Sequence, residues 1–229
     1  YGKPFEHLFP TIFDNMVDSE MVVDGSIEQS GNNYYAKGFT KEHYDSLNPE
    51  AKNKINAYFE LDEHNQPHAV SYAVHGKYGR ELAVSVYWLN KALVHAIGYE
   101  DQFDRYIVNS LELLIKYFET GDEDLFKQHS IEWLKTSSRL DYALGFIETY
   151  HDPMGIRGQA GGEITIKTVN MELLNPILLE IEQRLPNPPE YKKKSGNSTI
   201  MNVSMNKILY SAGDYGPQVI TAAYCLPNY

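Results

Sequence analysis

Between Arg80 and Lys135 the chain carries three amphipathic helical patterns in succession, with almost no room between them. Leu82, Val86, Leu89, Leu93 and Ile97 recur at three- and four-residue spacing, the period of one helix face, and Gly98 follows as a stop. Phe103, Ile107, Leu111, Leu114 and Phe118 repeat the pattern from about Asp101, and Gly121 ends it. Leu125, Phe126, His129 and Trp133 carry a third helix over residues 122–135. Helices joined so closely pack as antiparallel neighbours, so the spacing predicts a small helical bundle.

The pattern changes after Arg139. Residues 142–150 are aromatic and apolar, His151-Asp152-Pro153 reads as a turn, and Gly155 to Gly162 as a glycine-rich loop. Ile164, Ile166 and Val169 suit a strand or a helix entry. A helix is expected over 171–185, with Pro176 in its first turn or at a kink, and Pro186-Asn187-Pro188-Pro189 stops it. Residues 190–199 are polar, and 207–212 and 218–224 read as two strands. Ahead of the bundle, Asn48 and Pro49 form an N-cap and first turn, predicting a helix to about Phe59. Residues 34–39 suit a short strand or a turn, 62–67 a loop and 68–75 a strand. The expected class is α+β and predominantly helical, a bundle packed on a few strands. Residues 1–168 would form the mixed lobe, 169–206 a helical excursion with an exposed loop, and 207–229 strands returning to the first lobe.

Composition narrows the function. With 42% hydrophobic residues the 229-residue chain has the material for a core. Its formal charge of -11 opposes a general nucleic-acid surface, and the longest basic run is only Lys192-Lys193-Lys194. No stretch approaches the ~18 apolar residues of a membrane span, and the N-terminus lacks the apolar core of a signal peptide. One cysteine, Cys225, excludes an intrachain disulfide and a cysteine-cluster metal site. These features predict a cytoplasmic protein with neither nucleic-acid nor membrane partners.

Catalytic motifs are sparse. The glycine-rich loop lacks the Gly-Lys-Ser/Thr ending of a phosphate cradle and reads as a tight turn. His64 and His68 have the spacing of a zinc helix, but Asn65 stands where a glutamate is needed and Pro67 breaks the frame. No Gly-x-Ser-x-Gly elbow occurs. Glu148 and Asp152 are a carboxylate pair of the kind that any acidic chain supplies.

One block is more specific. Gly145-Phe146-Ile147-Glu148-Thr149-Tyr150-His151-Asp152-Pro153-Met154-Gly155-Ile156-Arg157-Gly158 resembles a signature of the dipeptidyl peptidase III family of zinc exopeptidases. Lys77-Tyr78-Gly79, Val86-Tyr87-Trp88-Leu89, Gly121-Asp122 and Ser130-Ile131-Glu132-Trp133-Leu134-Lys135 resemble upstream segments of that family, and Leu226-Pro227-Asn228-Tyr229 a downstream one, all in colinear order. The resemblance implies a two-lobed peptidase that removes dipeptides from the N-terminus of oligopeptides. It places this chain in the lobe that does not carry zinc. It also implies that Glu148 and Tyr150 line the substrate cleft, the glutamate holding the peptide's α-amino group. Asn228 falls on one of two cleft asparagines, and Cys225 stands where the other is expected. The family's His-Glu-x-x-x-His zinc helix is absent here. The expectation is therefore a fragment, beginning at Tyr1 rather than Met, that binds no zinc itself, is inactive alone, and partners the zinc-bearing lobe of its parent. The alternative is a non-catalytic helical peptide-binding or interaction domain, motivated by Cys225.

Overall fold

The computed structural model describes residues 26–28, 34–149, 151–170, 175–186 and 204–213. In chain order the elements are helices α1 (Lys41–Ser46) and α2 (Pro49–Lys52), strands β1 (Ala57–Leu61) and β2 (Pro67–Ser71), and helices α3 (Gly79–Gly98), α4 (Arg105–Thr120) and α5 (Glu123–Trp133). Strands β3 (Leu140–Glu148) and β4 (Gln159–Asn170), helix α6 (Asn175–Arg184) and strand β5 (Ser204–Gly213) complete them. The architecture is mixed α+β. Strands β1 and β2 form an antiparallel hairpin, and β3, β4 and β5 an antiparallel sheet in that order. Among the described residues no helix is long and apolar enough to cross a membrane.

The three central helices form along the expected stretches, except that α4 begins at Arg105, four residues later than expected, which leaves Phe103 ahead of the helix. Asp104 caps α4 by accepting the N–H groups of Tyr106 and Ile107, both at 3.0 Å. Gly121 ends it at φ 73°, a left-handed conformation that glycine adopts without penalty, and its N–H donates to the Tyr117 carbonyl at 2.7 Å. The inward stripe of α4 includes Ile107, Leu111, Leu114 and Phe118, all buried as expected. Asp122 caps α5 in the same manner through the N–H of Asp124. On α3, Leu82 is buried while Val86, Leu89 and Leu93 are partly buried against the core. Ala96, not Ile97, takes the last inward position, and Ile97 stays 49% exposed.

One sequence expectation fails. The helix capped by Asn48 ends at Lys52 instead of running to Phe59, and 57–61 is a strand. Ala57 and Phe59 are both fully buried and alternate with less buried neighbours, a period of two rather than 3.6. Phe59 is also held from its other side, where its N–H donates to the Tyr34 carbonyl and its carbonyl accepts the Ala36 N–H, each at 2.8 Å. Two smaller differences concern the C-terminal half. The glycine-rich stretch is not one loop: strand β4 begins at Gln159, and of Gly155, Gly158, Gly161 and Gly162 only Gly155 has a left-handed φ, 68°. Helix α6 starts at Asn175, with Pro176 second, so the proline sits in a first turn and causes no kink. The 218–224 strand expectation lies outside the described residues.

Candidate functional site

Strand β3 positions the site. Its inward side chains Tyr142 and Phe146 are 7% and 5% exposed and pack towards the bundle. The Tyr142 hydroxyl lies 2.7 Å from that of Ser110 on α4, and burial pushes its pKa above the ordinary phenol range, partly opposed by that hydrogen bond. His129 of α5 stacks on Phe126 and donates from Nδ1 to the Ser110 carbonyl at 2.9 Å. Burial lowers its pKa to about 4, so at neutral pH the ring is uncharged. Trp133 donates its indole N–H to Asp141 at 2.8 Å. These contacts fasten α5 beside β3.

A groove of about 490 Å³ lies between them. Its base is apolar, with Tyr117, Phe126, Tyr142 and Phe146. Its rim carries Glu123, Asp124 and Glu148 against one lysine, Lys127. That balance is negative and suits a cationic group.

Glu148 follows a change of register. Phe146 pairs with Ala160, but Glu148 pairs with Gln159, so two steps along β3 match one along β4. Such a β-bulge bends and twists the strand locally, so the aim of Glu148 depends on how this strand end is held. Phe146 and Glu148 both line the groove, and among the described residues no hydrogen bond or ion pair engages the Glu148 carboxylate.

The β3–β4 connection, residues 149–158, is organised around a buried carboxylate. Asp152 accepts the N–H groups of Met154, Ile156 and Arg157 at 3.1, 2.9 and 2.8 Å, and the Tyr35 hydroxyl at 2.8 Å. Burial, followed by the Asp152 charge, pushes the Tyr35 hydroxyl far above its ordinary range, so it stays a donor. Arg157 has no exposed surface, and its Nη1 lies 3.8 Å from Asp152 Oδ2. Its guanidinium sits 4.3 Å over the Phe59 ring and 5.3 Å over the Tyr44 ring, and Nη2 donates to the Tyr44 hydroxyl at 3.3 Å. An arginine is suited to this setting because its planar, weakly hydrated cation stacks on aromatic faces. The loop closes onto Ile55, whose carbonyl accepts the Gly158 N–H at 2.8 Å. A Cβ at Gly158 would fall 2.4 Å from the Phe146 carbonyl oxygen, so only glycine permits the approach. Ile55 and Asn56 in turn donate their N–H groups to Glu123 at the start of α5, at 2.6 and 3.1 Å.

Of the residues expected to bind substrate, Glu148 stands in the groove. Tyr150, Cys225 and Asn228 lie outside the described residues. Glu148 and Asp152, close in sequence, do different things: Asp152 is buried and occupied by its own loop and by the Tyr35 hydroxyl. Sequence reasoning passed over Arg157, Tyr35 and Glu123. The Asp-Pro-x-Gly turn signal around Asp152 was visible, but a charged arginine two residues before a strand gives no sign that it is buried. Among the described residues no cluster of three or more His, Cys, Asp or Glu side chains is placed to hold a metal ion. The described part of the chain thus does not fit a zinc centre.

Comparison with known proteins decides the family. The profile of peptidase family M49 matches residues 50–193, more than half of the chain. The chain belongs to peptidase family M49. A curated relative of this M49 chain, dipeptidyl peptidase 3 of Dictyostelium discoideum, is 33% identical over 101 residues, which is 44% of this chain and 14% of that protein. The fold of this M49 chain is similar to solved structures of dipeptidyl-peptidase III. That from Corallococcus sp. strain EGB superposes with a TM-score of 0.66 at 22% identity, over 86% of this chain and 37% of the other. That from Caldithrix abyssi gives 0.69 at 20% identity, over 100% and 45%. The chain therefore spans less than half the length of each of these relatives.

Proposed function

We propose that this chain supplies one wall of the substrate groove in a zinc-dependent dipeptidyl peptidase, which releases dipeptides from the N-terminus of oligopeptides. The zinc site belongs to a part of the parent protein outside this sequence. Glu148 is the residue that holds the peptide's free α-amino group. The observation that carries this reading is that the M49 match encloses both walls of the acidic groove, with the unengaged Glu148 carboxylate facing into it. An ammonium bound to a carboxylate makes a charge-assisted hydrogen bond, about twice as strong as a neutral one. Tyr150 would hydrogen-bond near the scissile region and Asn228 would share the amino-group contact, with Cys225 a poorer acceptor than an amide.

The experiment compares Glu148→Gln with the parent enzyme on a dipeptidyl-naphthylamide. Loss of a hydrogen bond to a charged partner is worth about 1.5–3 kcal/mol, so KM should rise roughly 10- to 100-fold. The selectivity for a free over an N-acetylated amino terminus should fall with it. An unchanged selectivity removes Glu148 from this role. Residues 1–229 alone, with zinc added, should release no naphthylamine, and clear turnover would overturn the assignment of the zinc site to another part of the protein.

A further inference from the structure

We propose that Asp152 is a positioning residue for Glu148: with Tyr35 and Arg157 it locks the β3–β4 connection so that the bulged end of β3 presents its carboxylate to the groove. This inference rests on the amino-group role of Glu148 given above.

The geometry is specific. Glu148 and Gln159 form the last rung of the β3–β4 ladder, and residues 149–158 are the loop that closes it. A ten-residue connection costs conformational entropy to hold, and nothing in a ladder end fixes the bulge that precedes it. Asp152 supplies that constraint from inside. Its two oxygens gather three backbone N–H groups of the loop and one hydroxyl from a segment 117 residues earlier in the chain. Its own N–H donates to the Thr149 carbonyl at 3.4 Å, one residue beyond Glu148. Arg157 gives the buried charge a counter-ion and is itself clamped between aromatic rings. The loop is thereby referenced to Tyr35, Tyr44 and Phe59 rather than to solvent. Asp152 touches no groove space, so it acts only through the loop.

The test uses the full-length parent enzyme with Tyr35→Phe, Asp152→Asn and Glu148→Gln. Tyr35→Phe removes one hydroxyl and leaves the ring packing and the buried ion pair, so it remains folded where Asp152→Asn fails to. Three readouts are taken: exchange of the amide hydrogens in 149–158, KM and kcat on a dipeptidyl-naphthylamide, and selectivity for a free over an acetylated amino terminus. Tyr35→Phe should speed loop exchange, raise KM roughly fivefold, as expected for one lost hydrogen bond, lower the selectivity and leave kcat near the parent value. Asp152→Asn should do the same more strongly. Faster loop exchange with parent KM and selectivity in Tyr35→Phe would overturn the inference, reducing Asp152 to a structural role. Unchanged selectivity in Glu148→Gln would instead overturn the underlying reading of Glu148. A raised KM in Tyr35→Phe would then still support the loop's control of the groove end.

Discussion

Acid should loosen the attachment of α5 to β3, and His129 sets the size of the effect. The imidazole is buried against Phe126 and Tyr142, and burial lowers its pKa from 6.5 to about 4. The unfolded chain takes up a proton at this position as pH falls through 6.5, whereas the native chain does so only near 4. The neutral ring's contribution to stability is therefore whole above pH 6.5, shrinks between 6.5 and 4, and changes no further below that. At about 1.4 kcal/mol per unit, the interval amounts to roughly 3 kcal/mol. Urea unfolding followed by circular dichroism at pH 7.5, 6.5, 5.5 and 4.5 measures it, with His129→Asn as the reference. Asparagine keeps an N–H for the Ser110 carbonyl but cannot titrate. Its own cavity cost is constant with pH, so only the difference in slope between the two proteins counts. The parent chain should lose about 2.5 kcal/mol more than the variant across that window, which stops just above the native pKa. Parallel slopes, or an imidazole that titrates near 6.5 by NMR in the native state, would refute the reasoning.

Other substitutions test the frame around the groove. Gly158→Ala places a Cβ 2.4 Å from the Phe146 carbonyl oxygen and 2.9 Å from the Ile55 side chain. It should cost about 1–3 kcal/mol by overpacking, seen as a fall of several degrees in Tm. Asp104→Ala removes the cap of α4 together with acceptors for the Thr136 hydroxyl and the Ser137 N–H. Burial opposes ionisation of Asp104, but the N–H groups of Ser137 and Ile107 and the hydroxyls of Thr136 and Ser137 outweigh it and hold the carboxyl below its usual range. The substitution should cost about 1–2 kcal/mol by thermal melting.

Legibility in the sequence followed the range of the forces involved. The stop at Gly121 and the inward stripe of α4 depend on residues three or four apart and are legible, whereas the start of α4 lies four residues after the expected Asp101, where Asp104 caps it. The cap at Asn48 signals a helix start but not its length, and the alternation of Ala57 and Phe59 is too short to mark a strand without its partners. Phe59 pairs with Ala69 on one side and with the Tyr34–Ala36 segment on the other, and the second pairing has no local signature. The candidate site divides in the same way. Glu148 was found through a resemblance, and its groove was not foreseen because one wall is α5 and the other β3. Arg157 was missed because its burial depends on aromatic rings at 44 and 59, more than ninety residues earlier in the chain.

Ile55 gives the groove a spacer one residue long. Its N–H is held by Glu123 on the α5 side and its carbonyl by Gly158 on the β3–β4 side. The separation of the two walls at that end is thus set by one residue of main chain and the Glu123 side chain, and replacing the side chain at 55 by anything but proline keeps both hydrogen-bonding groups in place. Side chains facing the groove are then free to vary during evolution, changing which peptides fit without changing its width. If the parent enzyme closes on its substrate, this wall should travel as one piece, with the hinge elsewhere.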